Sequence, residues 1–216
     1  MLLKLEKGIN KLMDWVGIFA GILLILLVVV IAFNVFNRYW FQIDGVGVGF
    51  EELGWHIYSA VFMLGIPFAL RSGSHVRVDL IFENLTPKSQ AIIDLVGSLI
   101  FLTPLCLIVI WGGWIYVIEA WQLGSHPDAF SDLIRQIITT GIGEQSQDPG
   151  GLLNRWFIKG LIPFTFLLLL LAAISFMIHK INILLNVEKA DDKVVHGQSY
   201  IDAGLENASD TTAEEK

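Results

Sequence analysis

Charge and cysteine are both scarce in this sequence. Only 16% of its 216 residues are charged, against about 25% in soluble domains. With 54% hydrophobic residues and a mean hydropathy of +0.63, the chain falls in the membrane class before any motif is read. The single cysteine, Cys106, excludes an intrachain disulfide, a Cys-x-x-Cys redox pair and a cysteine metal cage. The missing charge is also patterned: residues 15–37, 53–70, 95–118 and 160–178 contain no Asp, Glu, Lys or Arg. At about 1.5 Å per residue these runs reach roughly 27–36 Å, enough to cross a hydrocarbon core of about 30 Å. The expected fold is therefore all-α and integral to the membrane, with four transmembrane helices.

None of these spans has an ionisable residue in its middle. Proton relays and ion paths through helix bundles usually carry such residues, so the pattern points to an accessory or scaffold subunit. A stand-alone channel is disfavoured on the same ground. A haem-binding membrane anchor of a respiratory enzyme is the alternative, and it needs two histidines facing each other at one depth. His56 lies near the start of the second span and His179 closes the fourth, most of a bilayer apart. His75 and His179 share one side but both sit at the interface. No cofactor, metal site or catalytic residue is expected. His56 reads as an interfacial hydrogen-bonding residue.

The first span is longer than the roughly 7–15 apolar residues of a cleaved signal region and no small-x-small cleavage pattern follows it, so it is expected to stay as an anchor. Lys and Arg set the orientation. Nine of them (Lys4, Lys7, Lys11, Arg71, Arg77, Lys88, Lys180, Lys189, Lys193) flank one side, against four (Arg38, Arg135, Arg155, Lys159) on the other. Both termini are then cytoplasmic. Trp40, Trp55, Trp114, Trp121 and Trp156 fall near the outer interface, where amphipathic rings prefer to sit.

Residues 1–187 read as one membrane domain and 188–216 as an acidic, disordered cytoplasmic tail. From Val187 onward the chain holds eight acidic and three basic residues, supplying −5 of the net −7. In the outer loop, Phe130, Leu133, Ile134, Ile137 and Ile138 follow helical spacing, with Gly141 as a stop. This predicts a short amphipathic helix over 128–140, resting either on lipid or against another subunit. Gly17 and Gly21 form a small-xxx-small pattern. Pro67 and Pro104 can bend their spans, while Pro163 is expected in the first turn of the fourth. Glu51, Glu52 and Asp94 are expected at helix N-termini, where acids are favoured. Between the second and third spans, "RSGSHVRVDL" (71–80) packs His75, Arg77 and Asp79 closely together. Asp79 can hold His75 or Arg77 in a charge-assisted hydrogen bond; a plain cationic flank is the other reading.

Four segments together resemble the small membrane subunit (DctQ type) of tripartite ATP-independent periplasmic, or TRAP, transporters. They are "NVFNRYWF", "FEELGWHIYSAVFMLGIPFALRSGSHVRVDL", "GEQSQDPGGLLNRWFIKGLIPF" and the four-span layout around them. The resemblance implies a non-catalytic subunit in the bacterial inner membrane. It would pair with a large DctM-type membrane subunit that carries an organic acid and sodium by an elevator-like movement, supplied by a periplasmic substrate-binding protein. The lipid bilayer is its other partner, and nucleic acid is not one. Carried over by position, Asn34, Asn37, Tyr39, Trp55, His75, Arg77 and Asp79 would serve structure or the subunit interface. Arg38, Glu51, Glu52, Glu144, Ser146, Trp156 and Lys159 would serve the outer interface or docking of the binding protein. The 128–140 insert is longer than in compact family members.

Overall fold

The computed structural model describes residues 2–41, 47–73, 85–124, 126–127 and 132–185. The elements, in chain order, are α1 (Leu2–Phe36), α2 (Gly47–Ser72), α3 (Pro87–Gly97), α4 (Thr103–Gln122), α5 (Leu133–Thr139) and α6 (Trp156–Leu184). No strand occurs among the described residues. Helices α1, α2 and α6 are each long and apolar enough to cross a membrane, and α3 and α4 together form the remaining crossing rod. The described residues form four membrane-length helical rods with a further short helix, α5, in the loop before α6. The 188–216 tail and the His75, Arg77 and Asp79 set lie outside the described residues.

α6 is the hub. It packs against α1, α2, α3 and α4, while α1 pairs with α2 as a helical hairpin. Its buried side chains include Thr165, Leu168, Leu169, Ala172, Ala173 and Ser175. Leu168 and Ala172 meet Met13, Ala20 and Leu64 in one cluster, and Leu27, Val30 and Ile57 seal the other end of the α1–α2 seam. Lipid tails are as apolar as leucine, so such contacts hold by close packing rather than by escape from water. Small residues make that closeness possible. A Cβ at Gly17 would strike the Phe68 ring, and one at Gly113 would come within 3.1 Å of the Pro163 ring. Gly21, the other half of the small-residue pair, meets nothing within 4 Å.

The helices run further than the uncharged stretches suggest, and this corrects four positions. Pro163 lies inside α6, two turns from its start at Trp156, where Gly113 leaves room for its ring. Glu51 and Glu52 lie beyond the first turn of α2. Asp94 sits deep in α3, whose N-terminus is built by Thr86 and Pro87. Thr86 Oγ1 accepts the Ser89 N–H at 3.3 Å, and proline at the first position loses only an N–H that had no partner. The rod does not break at Pro104. Ser98–Leu102 opens into a π turn in which the Thr103 N–H reaches back to the Ser98 carbonyl and the Thr103 hydroxyl donates to the same oxygen at 3.0 Å. The wider turn makes room for a ring that would crowd a regular helix.

The start of α1 and the end of α6 meet at one end of the bundle, held by a polar network. Asp94 of α3 and Lys180 of α6 pair at 2.7 Å with their side chains only 12% and 6% exposed. Glu6 of α1 lies 3.2 Å from His179 and accepts from Asn182 at 3.4 Å. Ser175 donates to Asn10 at 2.8 Å, and Asp14 approaches Arg71 at 3.9 Å. The acceptors on α1 recur every four residues, so they share one face and are turned toward α6 and the end of α2.

Candidate functional site: the loop-capped end of the bundle

The opposite end is closed by residues 141–155, and the local sequence dictates how. α5 stops at Gly141, whose φ of 74° suits glycine and whose N–H reaches the Gln136 carbonyl at 2.7 Å. A narrow hairpin follows. Ser146 N–H donates to the Leu152 carbonyl at 3.1 Å and Arg155 N–H to the Glu144 carbonyl at 2.9 Å. Asn154 makes the turn into α6 with a φ of 60°, a conformation that asparagine tolerates better than most residues. Its side chain accepts the Ile142 N–H at 2.7 Å and donates to the Ile137 carbonyl at 2.9 Å, stitching α5 to the hairpin. Ile142 is completely buried beneath.

Three helices reach up to hold this cap. From α2, Glu52 accepts the Ser146 hydroxyl and the Leu152 N–H at 2.7 Å. From α6, Lys159 pairs with Glu144 while its ammonium stands 4.1 Å over the Tyr116 ring of α4. Trp156 packs edge-on against Trp121 at 4.8 Å, and the Glu144 N–H donates to the Ala120 carbonyl at 2.8 Å. Glycine is required where the hairpin backbone passes close to the side chains that hold it. A Cβ at Gly151 would strike the Ser146 side chain and come within 3.0 Å of Glu52 Oε2, so only glycine there lets Glu52 bond both partners. His56 is used in the helix itself, its Nδ1 lying 2.7 Å from the Glu52 carbonyl.

The candidate residues read from sequence thus separate into groups. Glu52, Glu144, Ser146, Trp156 and Lys159 come together in the cap. Arg38 and Glu51 are turned away from it and, with Asn34 and Trp55, line a lateral groove between α1 and α2. Asn37 is buried and Tyr39 is exposed, both in the π turn Asn37–Phe41 that extends α1. Sequence reasoning missed Asn154, Tyr116 and Gly151 in the cap and the whole network at the other end. The amphipathic helix exists, over Leu133–Thr139, but its apolar side chains do not share one fate. Ile134 and Ile138 are 70% and 73% exposed, whereas Leu133 and Ile137 are half-buried.

The arrangement is a membrane domain whose polar residues hold helix ends and loops together, with uncharged span centres; that is the make-up of a membrane subunit built to be part of a larger assembly. The family model for tripartite ATP-independent periplasmic transporters, DctQ component, matches residues 27–182, and the chain belongs to this family. It is a TRAP transporter small subunit and a multi-pass protein of the inner membrane. A curated Haemophilus influenzae protein described as a TRAP transporter small permease protein is 29% identical over 115 residues, covering 53% of this chain and 68% of the relative. No solved structure matches the chain.

Proposed function

We propose that this chain is the non-catalytic scaffold of its transporter. It braces a DctM-type large membrane subunit and presents the 141–155 cap as part of the landing surface for a periplasmic substrate-binding protein, in sodium-coupled uptake of an organic acid. The observation that supports this most is the cap itself. It is a hydrogen-bonded loop at the end opposite the start of α1 and the end of α6, on a bundle whose spans carry no Asp, Glu, Lys or Arg at their centres. With the Lys and Arg bias toward the terminal side, the cap faces the periplasm. Arg38 and Glu51 belong to the outer interface beside the cap, and His75, Arg77 and Asp79 to the cytoplasmic seat on the large subunit.

Asp148, at the exposed tip of the hairpin, and Arg135 on the outer side of α5 offer charge for such a landing. Complementary charge mainly sets encounter rate and register, and exposed pairs contribute only about 0–1 kcal/mol each. Uptake by the reconstituted three-component system, measured against binding-protein concentration, tests the reading. Reversing both charges (Asp148→Lys with Arg135→Glu) should lower uptake when binding protein is scarce and be rescued by excess. The defect should also shrink at high salt. Uptake insensitive to these changes at every concentration would remove the cap from the docking surface.

A further inference from the structure

A groove of about 320 Å³ runs along the side of the bundle between α1 and α2, lined by Leu27, Ile31, Asn34, Val35, Arg38 on one side and Phe50, Glu51, Gly54, Trp55, Tyr58 on the other. Its chemistry is graded. From Leu27 to Arg38 it follows one face of α1 for roughly 16 Å, apolar at the deep end and polar at the end level with the cap. There a cation and an anion, Arg38 and Glu51, face the same space, and neither side chain makes an ion pair among the described residues. Trp55 and Tyr58, edge-to-face at 6.4 Å, form one rim, and both rings are exposed. A Cβ at Gly54 would meet nothing within 4 Å, so the absent side chain leaves the wall open.

We propose that this groove binds one zwitterionic phospholipid whose head group carries a primary ammonium. Its phosphate lies on Arg38, its ammonium on Glu51, and one acyl chain runs along Ile31 and Leu27. The charge pattern selects the occupant. An anionic head group would satisfy Arg38 but offer Glu51 no cation. A zwitterion matches both side chains, and a primary ammonium donates hydrogen bonds to a carboxylate whereas a quaternary one has no N–H to give. The gradient from charged to apolar follows the gradient of a bilayer leaflet from head group to acyl chain, and the Trp55 ring, one turn below Glu51, lies at the level between the two that tryptophan favours. A lipid seated here would fill the seam between the first two helices and become part of the outer face of the subunit. This goes beyond the scaffold reading and requires that the groove stay open to lipid in the assembled transporter.

The full chain, with any membrane subunit that copurifies, is placed in nanodiscs of phosphatidylethanolamine or of phosphatidylcholine. Lipids retained after release are then counted by native mass spectrometry. The expected result is about one phosphatidylethanolamine held per chain in excess of phosphatidylcholine. Glu51→Gln should cut that preference about tenfold, the size of one charge-assisted hydrogen bond. Arg38→Gln should lower retention of both lipids. So should Gly54→Leu, which keeps both charges, enters open space and fills the groove. Lys88→Gln, at the other end of the bundle, should change nothing. Equal retention of the two lipids by the unaltered chain would overturn the ammonium assignment. Retention unaffected by Arg38→Gln and Gly54→Leu would overturn the site. So would a photoreactive side chain at Tyr58 that, in the intact complex, crosslinks to a protein partner in place of lipid.

Discussion

Glu52→Ala removes the anchor that ties the cap to α2. In the native chain this carboxylate accepts two hydrogen bonds, from the Ser146 hydroxyl and from the Leu152 N–H at 2.7 Å. Hydrogen bonds to a charged group contribute about 1.5–3 kcal/mol each, but the two share one anchor and are not additive. The site is half-buried, so water can replace part of what is lost. A local loss of about 2 kcal/mol is the reasonable expectation, and at 1.4 kcal/mol per decade it makes opening of the cap roughly thirtyfold more frequent. Hydrogen exchange followed by mass spectrometry on peptides covering 144–155 reads this directly, because protection there reports local opening. Protection should fall by about that factor over 144–155 and stay constant in the buried middle of α6. Glu52→Gln, which keeps an acceptor but loses the charge, should lie between. Glu51→Ala, one residue away but facing the groove, should leave the cap as protected as before. Unchanged exchange at 144–155 in Glu52→Ala would refute the claim that this carboxylate holds the cap.

At the terminal end, Lys180→Met takes the cation from the buried Asp94 carboxylate, and losing one partner of such a pair typically costs about 3–5 kcal/mol. A thermal melt in detergent should show a clear loss, largely recovered when Asp94→Leu is added; equal damage in the single and double variants would deny the pair. The orientation is checked with single cysteines in a Cys106→Ala background. Under an impermeant thiol reagent in cells with a permeabilised outer membrane, Asp148→Cys should label and Lys88→Cys should not, and the reverse pattern would invert the topology.

The spans were legible in the sequence because a bilayer demands long uncharged runs, and runs that long have no other easy use. Helix ends were less legible, since a helix continues past the hydrocarbon into polar sequence. Thr86-Pro87 is a capping signal that places the start of α3 well before Asp94, yet the first uncharged residue after Asp94 looked like the natural beginning. Glu6, Asn10 and Asp14 stand four residues apart and mark one face of α1. The partners of Glu6 and Asn10 (His179, Asn182 and Ser175) are more than 150 residues away, Asp14 meets Arg71 of the next helix, and no local rule pairs them. The two adjacent glutamates show the same limit. A rotation of about 100° between neighbours sends Glu52 to the cap and Glu51 to the groove, and only the packing of α2 fixes which is which. Asn154 was readable in principle as a residue suited to positive φ before a helix. That its side chain bonds Ile137 and Ile142 was not.

Affinity purification of this chain in mild detergent, with every associated protein identified and quantified by mass spectrometry, bears most directly on the scaffold role. A large DctM-type membrane subunit should be recovered in about equal amount, since a brace that binds its partner stably enough to position it should survive extraction with it. Recovery of the chain without that subunit, or with the haem-carrying subunits of a respiratory enzyme in its place, would contradict the role proposed here.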